Sequence, residues 1–155
     1  MRASILALLC LLLVPLAAAM AADWSQYAPA SLADTVSRHR PAHDKTTFSP
    51  GVPIRATLQH AAAGREVGKA KRDFLAKWLR SVGLPSEHLS LFQYEVKFKE
   101  RGREFWIPAQ TLLVTSLRDD VQLHGVDVDA YVMLIGFLNG EPVLLLNRFD
   151  ERERR

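Results

Sequence analysis

The side chains best placed to do chemistry in this sequence are cations gathered near an aromatic ring: Lys97, Lys99, Arg101, Arg103 and Trp106. Reading Arg101-Gly102 as a hairpin turn puts Lys97, Lys99 and Trp106 on one face, with the two arginines at the tip. An aromatic surface flanked by cations attracts anions and offers a plane for stacking, which suits an anionic glycan, a nucleic acid or a phospholipid head group. Glu95, Glu100 and Glu104 interrupt the patch, so a charge-paired outer strand face is the competing reading.

The acids and histidines form weaker constellations. His39, His43 and Asp44 lie in the run HRPAHD, and imidazole with carboxylate suits zinc. Pro41 spoils the one-face spacing and no third strong ligand follows, so a polar loop without metal or cofactor is expected. Asp119-Asp120 and Asp127-x-Asp129 could bind a hard cation or act as acid and base, yet neither has calcium-loop spacing. The chain has no G-x-S-x-G elbow, H-E-x-x-H helix, phosphate loop or dinucleotide fingerprint. A triad drawn from its serines and histidines would be arbitrary.

The compartment follows from the first residues. Arg2, the apolar run Ile5–Leu16 and the small-residue end at Ala17–Ala21 read as a secretory signal peptide over 1–21, with cleavage after Ala19 or Ala21. The apolar run is shorter than the roughly 20 residues that span a bilayer, and no later stretch is long enough. The one cysteine, Cys10, falls inside the signal. The mature chain is therefore expected to be cysteine-free, without disulfides, thiolate metal sites or a cysteine nucleophile. A periplasmic or secreted location is expected, and export argues against nucleic acid as the ligand. The net charge of +3 conceals an asymmetry: bases exceed acids by eight over 38–103, and acids exceed bases by four over 104–155.

The segment 22–49 is weakly patterned; Leu32, Val36 and His39 have helical spacing after a Ser31 cap, and Pro41 ends the helix. Ser49-Pro50-Gly51 reads as a turn and Val52–Leu58 as a short strand. Over 65–82, Val67, Ala70, Phe74, Leu75, Trp78, Leu79 and Val82 make an apolar helical stripe, closed by Gly83-Leu84-Pro85. Lys71, Arg72 and Arg80 fall to its wet side.

Two hairpins are expected. In the first, Phe98 faces Phe105, Val96 faces Ile107, Lys97 meets Trp106, Lys99 meets Glu104 and Glu100 meets Arg103. Between the hairpins, 108–121 reads as a helix with Thr111 as cap and Leu112, Leu113, Leu117 and Val121 on one face. The second hairpin turns at Asn139-Gly140, the strongest short-range hairpin signal. Regular alternation puts Tyr131, Met133, Ile135 and Phe137 with Pro142, Leu144 and Leu146 on one face. Val128, Ala130, Val132 and Leu134 with Val143, Leu145 and Phe149 fall on the other. Both faces are apolar, so both need cover: the 65–82 helix on one side, and a barrel interior, the second helix or a partner chain on the other. Gly136 in mid-strand marks a bulge, a bend or a close backbone approach.

These elements define one α+β domain over 50–150 with a charged tail at 151–155. The fold is a small antiparallel sheet, either open or curled into a partly closed five-stranded barrel, with two main helices. Over roughly the last hundred residues the order resembles an oligonucleotide/oligosaccharide-binding or SH3-like barrel, with a helix between the third and fourth strands. The functional expectation is an exported, noncatalytic interaction module that binds a protein or an anionic envelope component through the basic hairpin. A small periplasmic enzyme drawing on Asp127, Asp129, His124 or His43 is the alternative. A third reading is a homodimeric assembly protein joined through the doubly apolar hairpin.

Overall fold

The computed structural model describes residues 23–120 and 123–152. The expected signal peptide, 1–21, lies outside the described residues, as does Val121. In chain order the elements are β1 (Ala28–Pro29), α1 (Leu32–His39), β2 (Thr47–Glu66), α2 (Lys69–Ser81), β3 (Tyr94–Glu100), β4 (Arg103–Ala109), α3 (Thr111–Asp119), β5 (Asp127–Leu138) and β6 (Glu141–Glu151). Among the described residues no helix is long and apolar enough to cross a membrane.

The sheet closes on itself. β2 is long enough to pair with β5 through its first part, Thr47–Gln59, and with β3 through its last, Gln59–Glu66. Two antiparallel hairpins, β3–β4 and β5–β6, meet where Ala109 pairs in parallel with Leu146. The circuit β2-β3-β4-β6-β5-β2 is a closed five-stranded barrel of OB/SH3-like form, rather than the open sheet that was the other expectation. β1 adds a short parallel strand to β2 outside that circuit. Three helices accompany the barrel where two main ones were expected, because α1 within 22–49 is also well formed.

Both hairpin turns have the backbone their sequences demand. Arg101 and Gly102 stand at φ 49° and 80°, and Asn139 and Gly140 at 50° and 80°, as a two-residue type I′ turn requires. The expected register of β3–β4 is realised pair for pair. The β5–β6 register departs from regular alternation. Gly136 pairs with Val143, but the next pair is Leu134 with Leu144, so Ile135 is an extra residue and the faces exchange there. Val128, Ala130, Val132 and Leu134 therefore share the barrel interior with Phe137, Leu144 and Leu146, while Ile135, Val143 and Leu145 turn outward. A one-residue bulge reverses the parity of every side chain beyond it, which simple alternation does not register. Gly136 is required at this bulge. Its φ is 145°, and a Cβ would meet the Thr47 carbonyl oxygen and the Phe74 ring.

Each apolar face of the terminal hairpin is covered by the same chain. The barrel interior takes one face, with α1 contributing Leu32 and Val36, and α3 contributing Val114 and Leu117. The outward face packs under α2 through Phe74, Leu75, Trp78 and Leu79. α2 begins at Lys69 rather than Arg65, because β2 runs on to Glu66 and takes the first expected turn of helix. Its end is as expected: the Leu84 N–H donates to the Leu79 carbonyl at 2.8 Å around a left-handed Gly83. Ser49-Pro50-Gly51 is a bulge inside β2, not a turn, with Gly51 at φ 123° and a register shift between Phe48 and Val52. α3 buries Val114 and Leu117 and leaves Leu112 80% exposed, so its inner face is rotated from the expected one. The helix starts at Thr111 with Gln110 as its cap residue.

Candidate functional site

β3 and β4 carry the basic hairpin, and the structure divides its five expected site residues into two groups. Lys97, Lys99 and Trp106 share the outer surface of the barrel, because Val96, Phe98, Phe105 and Ile107 take the interior positions between them. Glu104 joins this outer group. Lys97 Nζ lies 3.0 Å and Lys99 Nζ 3.3 Å from its carboxylate oxygens. The hydrogen bond from Lys97 holds the Glu104 carboxyl below the usual range; desolvation opposes it and the bond from Lys99 adds to it.

Arg101 and Arg103 belong elsewhere. Arg101 reaches Asp34 of α1 at 3.4 Å, and Arg103 donates to the Ala33 carbonyl at 3.3 Å and to Ser37 Oγ at 3.2 Å. Between them Glu100 closes the N-terminus of α1, accepting from Leu32 N at 3.0 Å, Ala33 N at 2.7 Å and Ser31 Oγ at 3.0 Å. A carboxylate on otherwise unpaired helix N–H groups satisfies donors and complements the helix dipole. The tip of the hairpin is thus a fastening for α1.

Three residues that sequence patterning did not select complete the outer group. The Arg65 guanidinium lies 3.8 Å from the centre of the Trp106 ring, and Lys97 Nζ lies 5.6 Å from it. Glu95 stands on the outer face of β3 yet is buried, because the end of β2 and the first turn of α2 close over it. Arg65 Nε donates to Glu95 Oε1 at 2.8 Å, a second Arg65 nitrogen bonds the same oxygen, and Lys71 Nζ bonds Oε2 at 2.5 Å. Lys71 also donates to the Trp106 carbonyl at 3.3 Å. The parity of Glu95 with Lys97 and Lys99 was legible in the strand alternation. Its burial, and the recruitment of Arg65 and Lys71 to it, depend on where α2 crosses the barrel.

Arg65, Lys71, Glu104 and Trp106 line one wall and end of a groove whose opposite wall is Leu138 and Glu141–Leu144. Its volume is about 290 Å³. Four cations (Arg65, Lys71, Lys97, Lys99) against Glu95, Glu104 and, on the opposite wall, Glu141 leave a surplus of one positive charge beside an aromatic ring and the apolar strip Pro142–Leu144. The arrangement can hold an anionic group next to an apolar one. It contains no paired nucleophile and base.

The other sequence candidates are scattered. Asp127 lines a separate groove near the β3–β4 tip, and Asp129 accepts from Thr57 Oγ1 at 3.1 Å. His124 stands beside buried His60, ring centres 6.0 Å apart. His39 Nδ1 lies 2.9 Å from the Thr35 carbonyl oxygen of its own helix. His43 takes a left-handed conformation, φ 71°, while neighbouring Arg40, Asp44 and Thr46 pack against the Asn139-Gly140 turn. Among the described residues no three His, Asp or Glu side chains converge as a metal site.

Comparison with protein-family models, with curated proteins and with solved structures finds no match for this chain.

Proposed function

We propose that this chain is an exported, noncatalytic binding module that holds an extended, anionic partner across the outer face of β3–β4. The observation that carries the reading is the convergence of Arg65, Lys71 and Lys97 on Trp106, beside a groove whose opposite wall is mostly apolar. Cations held by fixed carboxylates are preorganised, so less side-chain freedom is lost when a ligand arrives. Stacking and charge together serve a repetitive anionic chain better than a compact small molecule. The place on the fold also supports it: in barrels of this strand order, ligands lie over the second and third strands and the loops beside them. Here those strands are β3 and β4, and the flanking segments are the β2–α2 connection and the Asn139-Gly140 turn. Fold alone does not carry function, and it is the side-chain set that selects an anion.

Titration with dextran sulfate at low and at physiological salt tests the reading. Lys97→Glu combined with Trp106→Ala is expected to weaken binding at least tenfold and to flatten its salt dependence. Arg101→Gln with Arg103→Gln, which loosens α1, is expected to leave affinity within about twofold once folding is matched. Equal affinity for the wild type and the Lys97/Trp106 double variant would remove the outer face from consideration.

The doubly apolar terminal hairpin does not favour a dimer over this reading, since α2 and the barrel interior already cover both of its faces.

A further inference from the structure

The barrel has a seam where its two hairpins meet. β4 pairs with β6 at Ala109↔Leu146 alone, so Arg103–Pro108 carry no ladder on that side. Extending this parallel register toward the strand starts brings Glu104 level with Glu141 and Trp106 level with Val143. These are the two walls of the groove described above. The groove is therefore the opened part of a strand pair, with backbone along both sides.

The direction of the β4 backbone follows from its turn. A two-residue hairpin makes Glu100↔Arg103 a hydrogen-bonded pair, so Lys99↔Glu104, Lys97↔Trp106 and Glu95↔Pro108 are the non-hydrogen-bonded pairs. The N–H and C=O groups of Glu104 and Trp106 point away from β3, into the seam. Two features agree with this parity. Pro108, which has no N–H, occupies the same class of position without harm to the ladder. The Trp106 carbonyl is taken by a side chain, Lys71 Nζ at 3.3 Å, rather than by β6. Across the seam β6 has Pro142 at its start, a residue that blunts an edge, whereas β4 has no proline before Pro108.

We propose that β4 accepts an extended polypeptide segment as an added strand along this edge, with an acidic side chain of that segment bound by Arg65 and Lys71. The inference rests on the binding face assigned above and names its partner class. An incoming N–H replaces Lys71 on the Trp106 carbonyl and releases one donor of the ammonium, which stays bonded to Glu95, for a carboxylate. Main-chain bonds to Glu104 and Trp106 give affinity, and alternate side chains of the added strand give selectivity. Acidic residues of that strand face the Arg65–Lys71 side, and apolar residues face the opposite way, along Leu144 and the barrel wall. A glycan has no alternating N–H and C=O groups with which to use the edge.

The test is titration of the full chain with an alternating glutamate–valine decapeptide, alongside the same peptide N-methylated on alternate residues and alongside dextran sulfate. Amide hydrogen exchange of Glu104 and Trp106 is read in each complex. The expected result is at least tenfold slower exchange at both amides with the unmodified peptide, and at least tenfold weaker binding of the N-methylated one. Glu104→Pro, which removes an outward N–H and spares the β3 ladder, is expected to weaken the peptide tenfold, whereas Glu104→Ala is not. Equal binding of both peptides, or unchanged exchange at Glu104 and Trp106, overturns strand addition and leaves a contact of charges. Binding of dextran sulfate without the peptide overturns it while leaving the face itself in place. Binding of neither probe overturns both.

Discussion

The two hairpins of this barrel share a turn and differ in almost everything the turn does not control. Arg101-Gly102 and Asn139-Gly140 have nearly the same pair of positive φ angles. Beyond the turns, β3–β4 keeps strict alternation: Val96, Phe98, Phe105 and Ile107 face inward, and Lys97, Lys99, Glu104 and Trp106 face out. β5–β6 abandons alternation at Ile135 and is buried on both faces, under α2 and over the barrel interior. A turn sets which residues pair. What lies above each face decides whether a strand serves as scaffold or as surface. The hairpin that stays regular keeps one face and one edge available; the one that bulges is wrapped by the rest of the chain.

Glycine substitutions test that contrast most severely. Gly136→Ala places a Cβ against the Thr47 carbonyl and the Phe74 ring at φ 145°, where no rotamer change gives relief. The expected outcome is no folded protein, or a loss beyond about 5 kcal/mol, in the range reserved for a named structural conflict. Gly102→Ala, at φ 80° with nothing within 4 Å, is expected to cost only about 1–2 kcal/mol of left-handed strain. Urea denaturation of the two variants measures both. Comparable losses would mean that the terminal hairpin is no more constrained than the basic one.

The second contrast concerns charge. The terminal hairpin is covered by apolar packing, whereas β3 is covered at Glu95 by an ion cluster, and such a cluster is asymmetric. Arg65 is half-exposed and Lys71 keeps about a fifth of its side-chain surface, so both can return to water; Glu95, 2% exposed, cannot. Arg65→Met with Lys71→Met strands a carboxylate and is expected to cost about 3–5 kcal/mol. Adding Glu95→Gln should recover most of that, and Glu95→Gln alone should cost far less than the double cation variant. Thermal or urea unfolding of the three variants checks the order. If Glu95→Gln alone proved the costliest, the cluster would be stabilising through the carboxylate rather than merely neutralising it.

The local part of this architecture was legible in the sequence. Both turns, the whole β3–β4 register, the Ser31 cap of α1 and the Gly83 end of α2 depend on residues within a few positions of one another. The bulges at Ser49–Gly51 and Ile135 were read as a turn and as regular strand, because a single extra residue leaves no mark on composition. Gly136 announced a close approach without saying to what. Of the outer face, Lys97, Lys99 and Trp106 could be found from strand parity. Arg65, Lys71 and buried Glu95 could not, since their meeting is set by α2 crossing the barrel rather than by spacing. Arg101 and Arg103 looked like part of the patch because neither the turn nor the alternation reveals that α1 docks at the tip.

The smallest effect concerns the inner faces. β5–β6 contributes only apolar side chains there, but the inward wall of β3–β4 has an ionisable neighbour, His60 of β2, 5.9 Å from the Phe98 ring. His60 Nδ1 lies 3.3 Å from the Leu123 carbonyl oxygen, and Nε2 is buried without a hydrogen-bond partner among the described residues. Burial holds its pKa below the usual histidine value; the Leu123 carbonyl works in the opposite direction, and nearby His124 adds a little to the depression. A base with a lowered folded-state pKa takes up its proton more readily when unfolded. Stability from this site is therefore complete above the ordinary histidine pKa of about 6.5 and declines as pH falls below it. Glu104, also depressed, acts only below the ordinary glutamate pKa of about 4.3, so the two windows are separate. Unfolding midpoints of the wild type should fall between pH 7 and pH 5, and those of His60→Leu should fall less. The amides that gain exchange first on acidification should be those of His60 and Gly125, which donate to the Val126 and His60 carbonyls, and of Val126, which donates to the Leu123 carbonyl. Acid loosening that began instead in β5–β6 around Val132–Leu134 would place the weak wall of the barrel in the wholly apolar hairpin, against the contrast drawn between the two.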